Sequence, residues 1–190
     1  MCTGILIASL VFTAIKVALH ADIVYGPAKE NFETRVATSG ILRTMSEQKK
    51  FAWLRIAFGV VWGIDAYFKW QPDFFENFTS YLSGSLEGQP LLTKSWINLW
   101  IHMVGVDPHF FALLVAIAET AIALALIFGV ASRITTWGGI AMSLVIWSTA
   151  EGFGGPYTAG STDIGAAVMY VFVFLALWFG HAWEDMRLKR

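Results

Sequence analysis

Four stretches of the chain are apolar over roughly the length of a bilayer core, at residues 51–70, 110–128, 134–150 and 164–182. At about 1.5 Å of rise per residue, a helix of such length reaches across about 30 Å of hydrocarbon. The first stretch, FAWLRIAFGVVWGIDAYFKW, also carries Arg55, Asp65 and Lys69. On a helix turning about 100° per residue, Arg55, Trp62 and Lys69 fall along one stripe, with Gly59 and Ala66 near its middle and Asp65 at its edge. A charge held in lipid near the bilayer centre costs at least about 3 kcal/mol, so this stripe is expected to face protein or water. In the second stretch Glu119 lies about halfway. Ala112, Ala116, Glu119 or Thr120, and Ala123 make a small-residue face that lets a neighbouring backbone come close. Gly139, Ser143, Trp147 and Glu151 recur every fourth position on and just beyond the third stretch. The fourth has few polar residues.

The connecting segments complete the layout. Residues 1–25 hold an apolar run broken by Lys16, His20 and Asp22, and no positive charge precedes that run. A cleaved signal peptide would carry one there, so an extra helix, spanning or lying in the interface, is expected instead. Residues 26–50 are polar and basic, with Lys29, Arg35, Arg43, Lys49 and Lys50. The segment from 71 to 109 is too long for an idle loop, and within it residues 96–104 have the aromatic and aliphatic positions of an interfacial helix. It reads as a folded cap. The glycines and proline of residues 151–163 forbid a regular helix, and Ser161, Thr162 or Asp163 can cap the helix after them. Excess Lys and Arg mark the cytoplasmic side of a membrane protein. With the first core helix running outward, nine of the thirteen lysines and arginines fall inside. The expected fold is therefore all-α and integral to the membrane. A four-helix transmembrane bundle over 51–182 is joined by an additional N-terminal hydrophobic helix in 1–25, a cytoplasmic linker over 26–50, an outer cap loop and a cytoplasmic tail over 183–190. A multi-pass plasma-membrane location follows, with the lipid bilayer as first partner.

Composition supports this and removes several function classes. Of 190 residues, 56% are hydrophobic and only 14% charged, unlike an ordinary soluble domain. A formal net charge of −1 argues against nucleic acid, whose phosphates demand a basic surface. Cys2 is the only cysteine, so dithiol exchange within the chain is excluded. No phosphate-binding loop, dinucleotide fingerprint or zinc-protease motif occurs, and no tightly bound cofactor is expected. His102 and His109 are seven apart, but no third ligand is fixed by spacing, so no metal is expected either.

In this topology Asp65, Lys69, His102, His109, Glu151, Tyr157 and Asp163 lie toward the outer face, with Glu119 beneath them. Glu119 reads either as a staple between helices, paired with Arg55 or hydrogen-bonded, or as a proton carrier. Lys69 is an interface anchor or, with a loop histidine, a point charge for a small anion. Trp62, Trp70, Trp147 and Tyr157 are belt or packing residues, or else flank a flat quinone ring. Periodicity does not separate these pairs of readings.

Three motifs make the chain resemble the DoxX/DoxD family of small four-helix membrane proteins. They are the helix start Leu54-Arg55-Ile56-Ala57-Phe58-Gly59 with Lys69, the run from Glu119 to Gly129 followed by Ser132-Arg133, and Gly160-Ser161-Thr162-Asp163-Ile164-Gly165 before an apolar helix. The last is closer to the DoxD side. The resemblance covers roughly residues 51–182. DoxD, with its partner DoxA, forms a thiosulfate:quinone oxidoreductase, so the resemblance implies a membrane subunit near quinone chemistry, with quinone as substrate and a DoxA-like partner chain. The expected site has Glu119 and Asp65 handling protons. Arg55, Lys69, Trp62, His102, His109, Trp147, Glu151, Tyr157 and Asp163 line a site for an anion or quinone. The alternative is a non-catalytic scaffold or assembly subunit that docks other chains. A transporter is disfavoured because no inverted repeat is evident.

Overall fold

The computed structural model describes residues 32–157 and 164–184. The N-terminal hydrophobic segment, Asp163 and most of the C-terminal tail lie outside the described residues. Every regular element among the described residues is helical.

Helix α1, Phe32–Lys69, begins well before the apolar stretch and is continuous through it. The segment read from its charge as a linker is thus, from Phe32 onward, part of the first helix. Residues 32–50 contain no proline. Charge density reports which side of a membrane a segment prefers and says little about backbone conformation, which is why the linker reading missed this.

The next segment is folded into α2 (Pro72–Glu76), α3 (Phe78–Ser83), a 3₁₀ turn (Gly84–Leu86) and α4 (Leu91–Val104). Helix α5, Pro108–Phe128, has Pro in its first turn. The Asp107 carboxylate accepts from the Phe110 N–H at 3.0 Å, and Gly129 ends the helix in the left-handed region at φ 68°. Helix α6 is Ser132–Ser148, and α7 is Ala167–Phe179. The fourth apolar stretch is therefore helical over only part of its length. Gly165, at φ +92°, belongs to the turn before α7, and Gly180 ends the helix. Gln48–Lys69 and Pro108–Phe128 are long and apolar enough to cross a membrane, whereas α7 is apolar but shorter.

Helix α1 packs chiefly along α5, and α6 along α7. The α1–α5 seam is close because it lacks side-chain bulk. A Cβ added at Gly59 would stand 2.9 Å from Leu126 Cβ, and one at Gly63 would stand 3.8 Å from Ala123 Cβ. The stripe read from the sequence is the buried one: Arg55, Gly59, Trp62 and Ala66 are all buried. Phe58, Trp62, Leu126, Ile140, Phe174, Leu177 and Trp183 form the main core. Phe74, Phe78, Leu82, Val104 and Ala112 form a second one, joining the cap segment to the first half of α5.

Large apolar side chains also face outward, among them Val60, Ile64 and Phe68 on α1, Leu114, Ile117 and Leu124 on α5, Ile134 and Trp137 on α6, and Phe172 and Phe179 on α7. An apolar exterior on this scale suits lipid as the surrounding solvent. Helix α4 adds a row of Leu92, Trp96, Leu99 and Met103, all exposed, opposite the side that buries Ile97 and Val104.

At the α6–α7 crossing the Phe174 ring fills the space above Gly139, where an added Cβ would lie 2.0 Å from its Cζ, while nothing lies within 4 Å of a Cβ at Gly138. Gly139→Ala is expected to destabilise the protein by about 1–3 kcal/mol through overpacking. Gly138→Ala is expected to be neutral or slightly stabilising. Equilibrium unfolding of the two variants in detergent checks the contrast.

Candidate functional site

The end of α1 and the middle of α5 bring three charges together. Asp65 and Lys69 are one turn apart, and Lys69 Nζ stands 3.4 Å from Asp65 Oδ1. The same ammonium is 3.7 Å from Glu119 Oε2. Glu119 is 0% exposed, and neither of its oxygens accepts a hydrogen bond from a described residue. Lys69 is half-buried and also sits 5.5 Å from the centre of the Phe74 ring, so the cap core covers the pair. The end of α1 is fastened at this level by Trp70, whose Nε1–H donates to Thr120 Oγ1 at 2.9 Å, while that hydroxyl donates to Ala116 O at 2.7 Å. Glu119 is thus level with Lys69 and not beneath it. Helix α1 stops beside the middle of α5, and the cap helices pack along the remaining half. Chain length alone does not reveal that offset.

Arg55 stands at the opposite end of the same seam. It is 0% exposed, and its Nε–H donates to Ala182 O at 3.0 Å. Its Nη1 donates to Leu126 O and, at 3.4 Å, to Ile127 O. These last are carbonyls at the C-terminus of α5, where a helix leaves acceptors unpaired and carries partial negative charge. The guanidinium also lies 5.4 Å from the Trp183 ring centre, and Gly129 leaves it room, since a Cβ there would lie 2.7 Å from Nη1. Arg55 therefore ties α1 to α5 and to the chain after α7. It lies fourteen positions before Lys69 on one helix, or about 21 Å by helical rise, so Arg55 neither pairs with Glu119 nor lines the same pocket as Lys69.

Of the remaining sequence-derived positions, Trp62 is buried between Phe58, Tyr170 and Phe174, with ring centres 5.6, 5.3 and 5.3 Å away. Glu151, Trp147 and Tyr157 shape the turn between α6 and α7. Both Glu151 oxygens accept from the Ala167 N–H, at 3.2 and 3.0 Å, holding the start of α7. The Trp147 Nε1–H donates to Ile164 O at 2.7 Å, and the Tyr157 hydroxyl donates to Phe153 O at 2.5 Å. His102 is exposed on α4, and His109 packs at 5.1 Å on Phe75. Neither histidine is ion-paired or hydrogen-bonded with Lys69 among the described residues, and those residues contain no cluster of three metal-ligating side chains.

A cation between two carboxylates, one of them sealed from solvent, can hold or release a proton without exposing a bare charge to lipid. A family model described as DoxX matches residues 51–152. The chain belongs to the DoxX family. The match runs from the apolar part of α1 through α6 and contains Arg55, Asp65, Lys69, Glu119 and Glu151, while α7 lies beyond it. No curated protein and no solved structure matches this DoxX protein.

Removing the Arg55 side chain would strand buried carbonyls at Leu126 and Ala182. Arg55→Ala is expected to cost about 3 kcal/mol or more, at about 1–3 kcal/mol for each orphaned group. The exposed Lys94→Met serves as control and is expected to stay within about 0.5 kcal/mol of wild type. Reversible denaturant unfolding in micelles measures both.

Proposed function

We propose that this DoxX-family membrane protein is a four-helix subunit of a quinone-linked redox system, with its site at the outer end of the α1–α5 seam. The observation that supports the reading is the Lys69 ammonium held between the half-exposed Asp65 and the fully buried Glu119. Reducing a quinone to a quinol consumes two electrons and two protons. Asp65 faces the solvent side of the site and Glu119 the bundle interior, so the two carboxylates on one ammonium form a short path for those protons. Lys69, as a point charge, offsets the charge of an anionic electron donor. With thiosulfate, the donor that the DoxD resemblance suggests, two anions join through a new S–S bond as tetrathionate. The two electrons released, with two protons, convert quinone to quinol. Electron entry through a partner chain on the outer side fits the lack of any cofactor motif in the sequence.

One observation favours a second reading, in which the chain is a scaffold for other membrane subunits: the cap core closes over the buried pair. Purification from the native membrane separates the two, since bound quinone without a partner favours the redox reading and a stoichiometric polypeptide without quinone favours the scaffold. For the redox reading, Glu119→Gln preserves shape and removes the titrating group. Its quinone reduction rate is expected to fall by a factor of about 100 or more, with unchanged thermal stability in detergent. A wild-type rate in that variant removes the proton role from Glu119.

A further inference from the structure

Helix α4, Leu91–Val104, is divided lengthwise among three surroundings. Ile97 and Val104 are buried and lie within about 20° of each other around the helix axis. Lys94, Ser95, Asn98 and His102 make a polar side, exposed along its length and spread over about 100°. Between the two stands the row of Leu92, Trp96, Leu99 and Met103, confined to about 60° of arc. Leu92 is 87% exposed and Leu99 61%. A helix in a soluble protein meets protein and water, and a spanning helix meets protein and lipid. A helix with one buried side, one wet side and one uncovered apolar side fits the rim of a membrane protein, where all three media meet. Length and position agree. Its 14 residues rise about 21 Å, short of the roughly 30 Å of hydrocarbon that a span must cross. It packs chiefly on α3, on the 3₁₀ turn Gly84–Leu86 and on the turn Gly152–Gly154 between α6 and α7, and so lies at one end of the bundle. Trp96 and Trp100 meet edge to face, with ring centres 5.9 Å apart, where the apolar row passes into the buried side. Indoles concentrate at membrane–water interfaces.

We propose that α4 lies in the headgroup layer of the bilayer and seats the cap on the membrane. Leu92, Trp96, Leu99 and Met103 enter the top of the acyl region, while Lys94 reaches the lipid phosphates from the polar side. Phospholipid is the occupant because the apolar row runs beside a polar side that bears a cation. A layer of phospholipid offers acyl chain and phosphate together, at that spacing and along the whole helix. Val104 shares the cap core with Phe74, whose ring stands by Lys69, so the helix seated in lipid is one piece with the cover of the Lys69–Glu119 pair. The seating is independent of whether that pair handles protons.

Spin labels on the purified full chain, reconstituted in vesicles of phosphatidylcholine and phosphatidylglycerol, test this. Cys2 is the only cysteine, so Cys2→Ser gives a background free of thiols. Into it Lys94→Cys, Asn98→Cys, Leu99→Cys and Met103→Cys are introduced one at a time, all at exposed positions, and each is labelled with a nitroxide. Oxygen concentrates among acyl chains, whereas a charged nickel chelate stays in water. Collisions with oxygen are expected to exceed those with nickel at positions 99 and 103, and the order is expected to reverse at 94 and 98. An excess of nickel collisions at all four positions places the row in water and overturns the seating. Few collisions of either kind at 99 and 103, or spectra broadened by a second label nearby, show that protein covers the row and overturn it too. Trp96→Phe gives a second readout without a label. Lipids brominated near the headgroup are expected to quench a smaller share of its tryptophan fluorescence than of the wild type, and an unchanged share counts against the seating.

Discussion

The seam between α1 and α5 is the constraint on which the rest of the structure depends. Its closeness comes from the missing side chains at Gly59 and Gly63, which let the α1 backbone approach Leu126 and Ala123. Once the two helices lie this close, the polar groups on α1 have few places to go. Arg55 must find its partners among the carbonyls at the end of α5, and Lys69 must find its own in the middle of the same helix. One charge at each end pins the register. The apolar residues between them supply packing.

The two ends nevertheless do different physical work. At Arg55 a buried cation donates through Nε and Nη1 to main-chain acceptors and lies near an aromatic ring, so it satisfies a helix terminus and has little freedom. Around Lys69 the pairing is looser, with contacts of 3.4 and 3.7 Å and a buried carboxylate that accepts no hydrogen bond from a described residue. A tightly satisfied arginine is what stability requires. A loosely satisfied acid shared with a lysine is what a group needs if its proton is to move, because a fully satisfied network resists changing state. The contrast separates a tightly satisfied end of the seam, at Arg55, from the loosely satisfied end at Lys69, where the proposed site lies.

The cap gives the Lys69 end of the seam its surroundings. Phe74 places its ring beside Lys69 and at the same time belongs to the apolar core that holds α2, α3 and α4 against the first half of α5. Across the bundle the turn between α6 and α7 is stiffened by Ser85 and Gln89 of the cap segment. The Ser85 hydroxyl donates to Thr149 O at 2.7 Å, and the Gln89 side chain donates to Gly152 O at 3.1 Å. The two connections thereby brace one another, and the Glu151 carboxylate stands on the braced turn, holding the Ala167 N–H at the start of α7. A site assembled this way depends on long-range packing more than on any single loop.

Residue type and spacing by themselves determined that the chain is helical and apolar, that Arg55, Gly59, Trp62 and Ala66 share a buried stripe, and that Glu119 faces a neighbouring helix. A helix repeats every 3.6 residues, so one helix suffices to show which positions share a face. Tertiary structure alone decided what each face meets. Arg55 and Glu119 are both polar positions on facing helices, and nothing in their spacing reveals the offset that sends Arg55 to a helix terminus and Lys69 to Glu119. Periodicity is a property of one helix, whereas the axial offset between helices is set by how their side chains interlock.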